Sequence, residues 1–185
     1  MAHRVAQPLT GVLLVGGASR RFGSPKALAR FGSETLAERA WRTLGDACEE
    51  RLAVGKGELE LPFEVLEDEI AERAPIAGVI AGLRAASHDL AVFLPVDCPL
   101  VTPGLLRALG KARAVPQTGP LPGAYGKDDL QVLERRLASG ELSLRGVNPR
   151  VLLLDERLLV NANTPAELLE LTLEQDLAGR DEHPA

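Results

Sequence analysis

The amino-acid sequence predicts an α/β fold, a three-layer α/β/α sandwich built around a mostly parallel sheet. Several apolar runs lack polar alternation, which is typical of strands that are buried on both faces of a parallel sheet. These runs alternate along the chain with segments of helical periodicity. The length of 185 residues suits one domain. We therefore expect a single domain over residues 1–178, followed by a flexible tail over residues 179–185.

The first elements follow from local pattern. Residues 9–17 form a Leu- and Val-rich run that ends in two glycines, so a buried strand is predicted there. Residues 34–47 place their apolar side chains on one stripe, which predicts a helix, and Ser33 is its expected N-cap. Two short apolar segments, 51–54 and 63–66, predict further strands on either side of a glycine-rich link.

The later elements follow from the same signals. Helices are predicted over residues 75–86, 103–111, 128–138 and 164–174. Strands are predicted over residues 90–96, 151–154 and 157–160, with the last two forming a hairpin. Asn163 is the expected cap of the final helix, and Pro165 occupies its first turn.

The composition excludes several classes of protein. The chain has 21 basic and 26 acidic residues, a net charge of −5, whereas nucleic-acid binding proteins carry a basic patch or stripe. Two cysteines and three histidines are too few for a disulfide scaffold or a multi-histidine metal site. Neither a signal peptide nor an apolar run of about 20 residues, as a membrane span requires, is recognisable. We expect a cytoplasmic protein that binds neither nucleic acid nor membrane.

A cationic loop follows the first predicted strand, and we call residues 16–26 the glycine–cation loop. In open α/β sheets, ligands bind at the carboxyl ends of the strands, which is where this loop lies. Its glycines allow backbone N–H groups to approach an anion closely, and Arg20, Arg21 and Lys26 add three cations. The loop lacks the endings of a Walker A motif and of a dinucleotide fingerprint. It predicts a phosphate site, and a flexible basic surface loop is the alternative.

Asp97 ends the strand predicted over residues 90–96 and is a candidate metal ligand. Mg²⁺ takes one or two protein carboxylates together with substrate phosphates and water, so one aspartate at a strand end is sufficient. A carboxylate that only caps a turn is the alternative. Cys98 has no histidine near it in sequence, and we expect a small buried residue there and not a nucleophile.

Residues 14–26 read Leu-Val-Gly-Gly-Ala-Ser-Arg-Arg-Phe-Gly-Ser-Pro-Lys. This segment resembles the signature Leu-x-Gly-Gly-x-Ser-x-Arg-Met-Gly-x-x-Lys of sugar-phosphate-type nucleotidyltransferases, and most of all the molybdenum cofactor guanylyltransferases. The resemblance implies a Rossmann-like nucleotidyltransferase fold in which Arg21 and Lys26 hold the phosphates of a nucleoside triphosphate. The remaining residues that it places against the nucleotide are Leu14, Val15, Gly16, Gly17 and Ser19. Phe22 stands where Met is usual, and Pro25 where Asp is frequent.

Other segments extend the resemblance over residues 9–172. Residues 96–100 resemble the family's Asp-x-Pro segment, which makes Asp97 the metal ligand. Asp68 resembles the position that contacts the base, with a solvated acidic loop as the alternative. Residues 161–168 resemble an Asn-x-Asn-Thr-Pro segment, so Asn161 and Asn163 are candidates for substrate or metal-water contacts, with helix capping as the alternative. Residues 120–125 resemble a strand that lies toward the second substrate.

The resemblance implies an enzyme that uses Mg²⁺ to transfer GMP from GTP to molybdopterin carrying molybdenum. The products would be the guanine dinucleotide cofactor and pyrophosphate. Molybdoenzyme apoproteins or cofactor-biosynthesis proteins are possible partners. Three alternatives stay open: a nucleotidyltransferase that uses CTP or a sugar-phosphate acceptor, a non-catalytic nucleotide-binding regulator, and an interaction module whose basic loop binds a protein.

Overall fold

A computed structural model describes residues 8–15, 22, 25–55, 59–67 and 74–181, with side chains described as far as residue 175. The strands are β1 (Thr10–Leu14), β2 (Arg30–Phe31), β3 (Glu34–Thr35), β4 (Glu50–Gly55), β5 (Leu66–Glu67), β6 (Leu90–Pro95), β7 (Val115–Pro116), β8 (Gly123–Gly126) and β9 (Val151–Leu152). The helices are α1 (Leu36–Ala47), α2 (Pro75–Ala85), α3 (Pro103–Ala112), α4 (Leu130–Ala138) and α5 (Pro165–Asp181). None of the helices within the described residues combines the length and apolar character needed to cross a membrane.

The central sheet has five strands in the order β5-β4-β1-β6-β8. The first four are parallel, and β8 pairs with β6 in the antiparallel direction. β1 lies in the middle, where Leu13 is opposite Ala53 on one side and Leu94 on the other. Two small sheets stand apart, β2 with β3 and β7 with β9. The predicted mostly parallel α/β sheet is therefore confirmed.

Each face of the sheet is covered by helices, because alternate residues of a strand point to opposite faces. Leu13 belongs to the core that contains Leu44 of α1 and Leu106 of α3. Val12 belongs to the core that contains Ile80 of α2 and Leu133 of α4. Helices on both faces give the predicted three layers, and each fully buried large side chain contributes about 1.5–3 kcal/mol.

Helix α2 approaches the sheet closely at a glycine. A Cβ atom added at Gly82 would lie 2.7 Å from Phe93 Cε1 and 2.8 Å from Val12 Cγ1. Both distances are shorter than van der Waals contact, so glycine is what allows α2 to pack against β1 and β6.

The cap of α1 differs from the prediction. Thr35, and not Ser33, is the N-cap: its hydroxyl accepts a hydrogen bond from the Glu38 amide, and the Glu38 carboxylate accepts one from the Thr35 amide. The helix therefore begins at Leu36 and not at residue 34. The reason is that residues 34–35 pair with β2 before the helix starts, so the extended cap conformation falls two residues later.

One predicted strand is shorter than expected, and another is not a strand. The strand expected over residues 63–66 is reduced to Leu66–Glu67. Residues 157–160 are not a strand, because Glu156–Leu159 form a 3-10 helix that begins where the Asp155 side chain accepts a hydrogen bond from the Arg157 amide. No hairpin forms there, since β9 is parallel to β7.

The final helix is longer than predicted and has another cap. Thr164 Oγ1 accepts a hydrogen bond from the Glu167 amide at 3.2 Å, whereas the Asn163 side chain accepts no such bond from any described residue and its backbone N–H donates to the Glu167 carboxylate at 2.7 Å. Asn163 is therefore not the N-cap. Helix α5 continues through Asp181, past the predicted end at residue 174 and into the segment expected to be a flexible tail.

A polar cluster fixes the amino ends of the central strands. Glu50 accepts hydrogen bonds from the Thr10 hydroxyl at 2.6 Å and from the Ser87 hydroxyl at 2.7 Å. His88 Nδ1 lies 3.1 Å from the same Thr10 hydroxyl. Burial alone would raise the pKa of Glu50, but the hydrogen bonds from Thr10 and Ser87 outweigh it, so this pKa lies below its ordinary value.

Candidate functional site

The candidate site lies at the carboxyl edge of the central sheet. The Val15 amide donates to Val54 O at 2.9 Å, and the Val96 amide donates to Leu14 O at 3.1 Å. These bonds continue the strand register beyond the ends of β1 and β6. The segments that follow these two strands therefore start side by side, at the edge where open α/β sheets bind ligands.

An ion pair joins two of the predicted site residues at this edge. Lys26 Nζ lies 3.1 Å from Asp97 Oδ2, across a separation of 71 residues. Only 15% of the Lys26 side chain and 21% of the Asp97 side chain are exposed. The ammonium group also lies 5.5 Å from the centre of the Phe22 ring. A cation and a carboxylate of the kinds that bind phosphate and metal are therefore adjacent and only partly solvated.

Backbone hydrogen bonds hold Asp97 in a short turn. The Cys98 amide donates to Pro95 O at 3.3 Å, and the Val101 amide donates to Cys98 O at 3.4 Å. Arg39 of α1 donates from Nε to Pro99 O at 2.6 Å. Because the turn is supported from both sides, the position of the carboxylate is set by the fold.

The segment that contains Asn161 and Asn163 is attached to the same turn. The amide of Ala162, which is fully buried, donates to Asp97 O at 2.9 Å. Both asparagines flank this anchor and are exposed. Asn161 Oδ1 lies 3.3 Å from Cys98 Sγ, and Asn163 Nδ2 lies 3.5 Å from Asn161 O. The structure thus brings the predicted residues Asn161 and Asn163 to the same edge as Asp97.

Cys98 is buried, as predicted. Burial raises the pKa of its thiol well above the ordinary value, and the neighbouring Asp97 carboxylate adds to this effect. Within the described chain the histidine is His88, which precedes β6, whereas Cys98 follows it at the other end. A buried and protonated thiol without a base is a poor nucleophile.

Leu14 and Val15 lie at the edge, but their side chains belong to the core. Leu14 packs so close to α2 that a Cβ atom added at Gly78 would lie 2.8 Å from its Cδ2 atom. Any contact of these two residues with a ligand would therefore use the backbone. The other predicted site residues, Gly16, Gly17, Ser19, Arg21 and Asp68, lie outside the described residues, as does Arg20.

The donor set at this edge suits a hard cation that keeps much of its water. Among the residues that the structure describes, no three His, Cys, Asp or Glu side chains form a metal cluster. Asp97 is a carboxylate at this edge that could hold Mg²⁺, since this ion uses one or two protein carboxylates together with water and substrate phosphates.

Sequence reasoning missed two features of the site. It gave no role to Ala162, because an alanine carries no signal for a backbone hydrogen bond to Asp97. It also gave no sign that Cys98 contacts Asn161, 63 residues away.

A separate cavity of about 270 Å³ lies beside β7 and β8, with Pro120, Tyr125 and Arg145 among its lining residues. It includes part of the 120–125 segment that was expected to face a second substrate.

Known proteins resemble this chain over most of its length. The model of the MobA-like NTP transferase domain matches residues 11–146. A protein of Chloroflexus aggregans named probable molybdenum cofactor guanylyltransferase is 32% identical over an alignment 190 residues long, and the match covers 86% of this chain and 91% of that protein. A protein of the same name from Deinococcus radiodurans is 36% identical over 183 residues, with coverages of 89% and 94%.

A solved structure shares the fold. It is that of molybdopterin-guanine dinucleotide biosynthesis protein A from Archaeoglobus fulgidus, which superposes with a TM-score of 0.76 at 22% identity and covers 90% of this chain and 98% of that one. At this identity the likeness supports the fold alone.

Proposed function

This chain belongs to the MobA-like NTP transferase family, and from that membership we propose that it transfers GMP from GTP to molybdopterin carrying molybdenum. Relatives named probable molybdenum cofactor guanylyltransferase are 30–36% identical to it. The observation that carries the proposal is the 3.1 Å ion pair of Lys26 and Asp97. It combines a phosphate-binding cation and a metal-binding carboxylate at the edge where α/β sheets bind nucleotides.

The triphosphate would lie against the glycine–cation loop. In this proposal Lys26 and Arg21 bind its phosphate oxygens, and Arg offers the planar fork that fits them. The backbone of Leu14 and Val15, with Gly16, Gly17 and Ser19, lines the nucleotide. Asp68 accepts hydrogen bonds from guanine, since a carboxylate can accept from both N1–H and the exocyclic amine of this base.

Asp97 is the residue that would hold Mg²⁺. When bound, this cation offsets the charge that develops on the phosphates during transfer. Lys26 is already next to Asp97, so that one small region supplies both an anion and a cation. Asn161 and Asn163 supply polar contacts to the substrates from the neighbouring segment.

The reaction needs no side-chain base. An oxygen of the terminal phosphate of molybdopterin attacks the α-phosphorus of GTP, and the bond from that phosphorus to the bridging oxygen of the β-phosphate breaks. Pyrophosphate leaves with the electron pair of that bond. The attacking oxygen is already anionic, so catalysis consists of positioning and charge neutralisation. The protonated Cys98 has no part in proton transfer.

The experiment is a transfer assay with purified protein, molybdopterin carrying molybdenum, Mg²⁺ and either GTP or CTP. We expect pyrophosphate and the guanine dinucleotide with GTP, and their loss when the divalent cation is chelated. A higher turnover with CTP contradicts the choice of base. Nucleotide binding without any pyrophosphate release contradicts the proposed enzymatic activity and favours a non-catalytic nucleotide-binding regulator.

Three further expectations accompany the proposal. The protein works in the cytoplasm as one domain, which includes α5 and therefore extends past residue 178 to Asp181. Its product passes to molybdoenzyme apoproteins, or to other proteins of cofactor biosynthesis. Pull-down with a tagged chain from a strain that makes molybdoenzymes tests this transfer.

A further inference from the structure

A buried thiol contacts an exposed amide at the edge of the site. Cys98 Sγ lies 3.3 Å from Asn161 Oδ1. Cys98 is 4% exposed, whereas Asn161 is exposed. The thiol also lies within hydrogen-bond distance of a second oxygen, Asp97 Oδ1, which is farther from the sulfur, at 3.7 Å. The thiol is thus buried, and the nearer of its two neighbouring oxygens belongs to the exposed Asn161 amide.

The contact decides which end of the Asn161 side chain faces outward. An asparagine carries a carbonyl oxygen that accepts hydrogen bonds or binds cations, and an NH₂ group that donates to anions. The S–H group is a weak donor and sulfur a weak acceptor, and Asn161 Oδ1, at 3.3 Å, is nearer to the sulfur than the Asp97 carboxylate oxygen at 3.7 Å. The thiol therefore donates to the oxygen of Asn161 in preference to that of Asp97. No described residue accepts a hydrogen bond from Nδ2 of Asn161, so that this donor is available to a ligand.

The backbone of Asn161 has little freedom to change this arrangement. The next residue, Ala162, is fully buried and donates its N–H to Asp97 O at 2.9 Å. The main chain is therefore fixed next to the turn that carries Asp97 and Cys98. Only the Asn161 side chain can still rotate, and the contact with Cys98 selects one of its orientations.

We propose that Cys98 is a positioning residue that holds the Asn161 amide with its Nδ2 donor facing the anionic phosphates of the substrates. This inference rests on the proposed function, because that function places phosphates beside Lys26 and Asp97. It makes Asn161 a hydrogen-bond donor to an anion and not a ligand to the cation. Cys98 acts only through Asn161 and touches no substrate.

The first test changes the charge of the Asn161 side-chain atom that faces away from Cys98. In Asn161→Asp the carboxylate still accepts the Cys98 hydrogen bond, but an anionic oxygen replaces the outward NH₂ group. We expect kcat/KM for GTP to fall by about 10-fold or more below that of Asn161→Ala, since like charges repel in a partly desolvated site. If Asn161 bound the cation instead, Asn161→Asp would be as active as wild type. That result overturns the proposal.

The thiol gives the second test. Cys98→Ala should lower kcat/KM by about 2- to 10-fold, the range of one ordinary hydrogen bond. Cys98→Ser should restore it, because a hydroxyl also donates. Cys48→Ser is the matched control, since Cys48 is a free thiol outside the site. Adding Cys98→Ala to Asn161→Ala should cause no further loss. Multiplying losses would show that Cys98 does not act through Asn161.

A spectroscopic test separates this inference from the proposed function. The chain has two cysteines, so in Cys48→Ser the Raman S–H stretching band belongs to Cys98 alone. We expect a hydrogen-bonded band that shifts to higher frequency when Asn161→Ala is added. An unchanged band overturns the orientation even if GMP transfer is observed. A wild-type protein that transfers no GMP contradicts the proposed function. The S–H band still shows whether the Cys98 thiol donates to Asn161.

Discussion

Replacing Asp97 with asparagine tests the centre of the proposed site with a change of charge and almost no change of shape. The Asp97 carboxylate lies 3.1 Å from Lys26 Nζ, and both side chains are mostly buried. Asparagine keeps an oxygen near the ammonium group but removes the anion that would hold Mg²⁺. We expect the rate of GMP transfer to fall by about 10²–10³-fold, the effect of losing one preorganised charged group.

The same substitution should have only a modest effect on folding. At 3.1 Å and an effective dielectric constant of about 20, the Coulomb attraction of the pair is about 5 kcal/mol. The substitution removes this attraction together with the desolvation cost of the carboxylate, and the Asn oxygen can still accept a hydrogen bond from Lys26, so only part of the attraction is lost. We therefore expect the free energy of unfolding to fall by about 1–2 kcal/mol, which lowers Tm by about 2–8 °C for a chain of this size.

Binding and turnover should separate in this variant. Without Mg²⁺, the Asp97→Asn protein should bind GTP at least as tightly as wild type, because a negative charge near the triphosphate is gone. Calorimetry measures this binding, and pyrophosphate release measures turnover. Glu134→Gln is the control: it breaks an exposed ion pair with Arg84 at 2.7 Å and should change neither. A folded Asp97→Asn protein with undiminished transfer would refute the reasoning.

Three further predictions concern stability and are measured by urea denaturation. Glu50→Gln should destabilise the protein at neutral pH, and its deficit relative to wild type should shrink as pH falls below the ordinary carboxyl pKa of 4.5. The sign follows because a lowered pKa stabilises the fold only while the group is ionised. Thr35→Ala should cost about 1 kcal/mol through loss of the α1 cap. Gly82→Ala should cost about 1–3 kcal/mol, because its Cβ atom would overlap the Phe93 ring, 2.7 Å away.

Each of these predictions has a control in the same chain. A pH-independent deficit in Glu50→Gln would contradict the role given to ionisation. Ser33→Ala should leave stability unchanged, and a loss equal to that of Thr35→Ala would show that the cap is placed wrongly. Gly104→Ala also lies in a helix, but its Cβ atom would meet nothing nearer than 3.9 Å. It should be neutral or slightly stabilising, whereas an equal loss at both glycines would contradict the packing argument.

Local pattern was reliable where burial sets the structure. The strand that ends before Asp97 and helix α2 lie close to their predicted bounds. Continuous apolar runs and a proline in the first turn of a helix are compatible with few other structures. Local pattern failed where hydrogen bonds compete. Residues 157–160 have the composition of a strand, but the Asp155 side chain starts a 3-10 turn there instead. Asn163 is a good cap by residue type, yet Thr164 makes the capping bond.

By itself, the sequence determined which chemical groups follow the strands: a glycine–cation loop after one strand, an aspartate after another, and an Asn-x-Asn segment near the end of the chain. It also determined the fold class, because the spacing of apolar residues along a segment indicates whether that segment is a helix or a strand. Only the tertiary structure decided that Lys26 meets Asp97 across 71 residues and that the Asn161 amide faces Cys98. The physical reason is that strand order and side-chain partners depend on packing between distant segments, which no local pattern encodes.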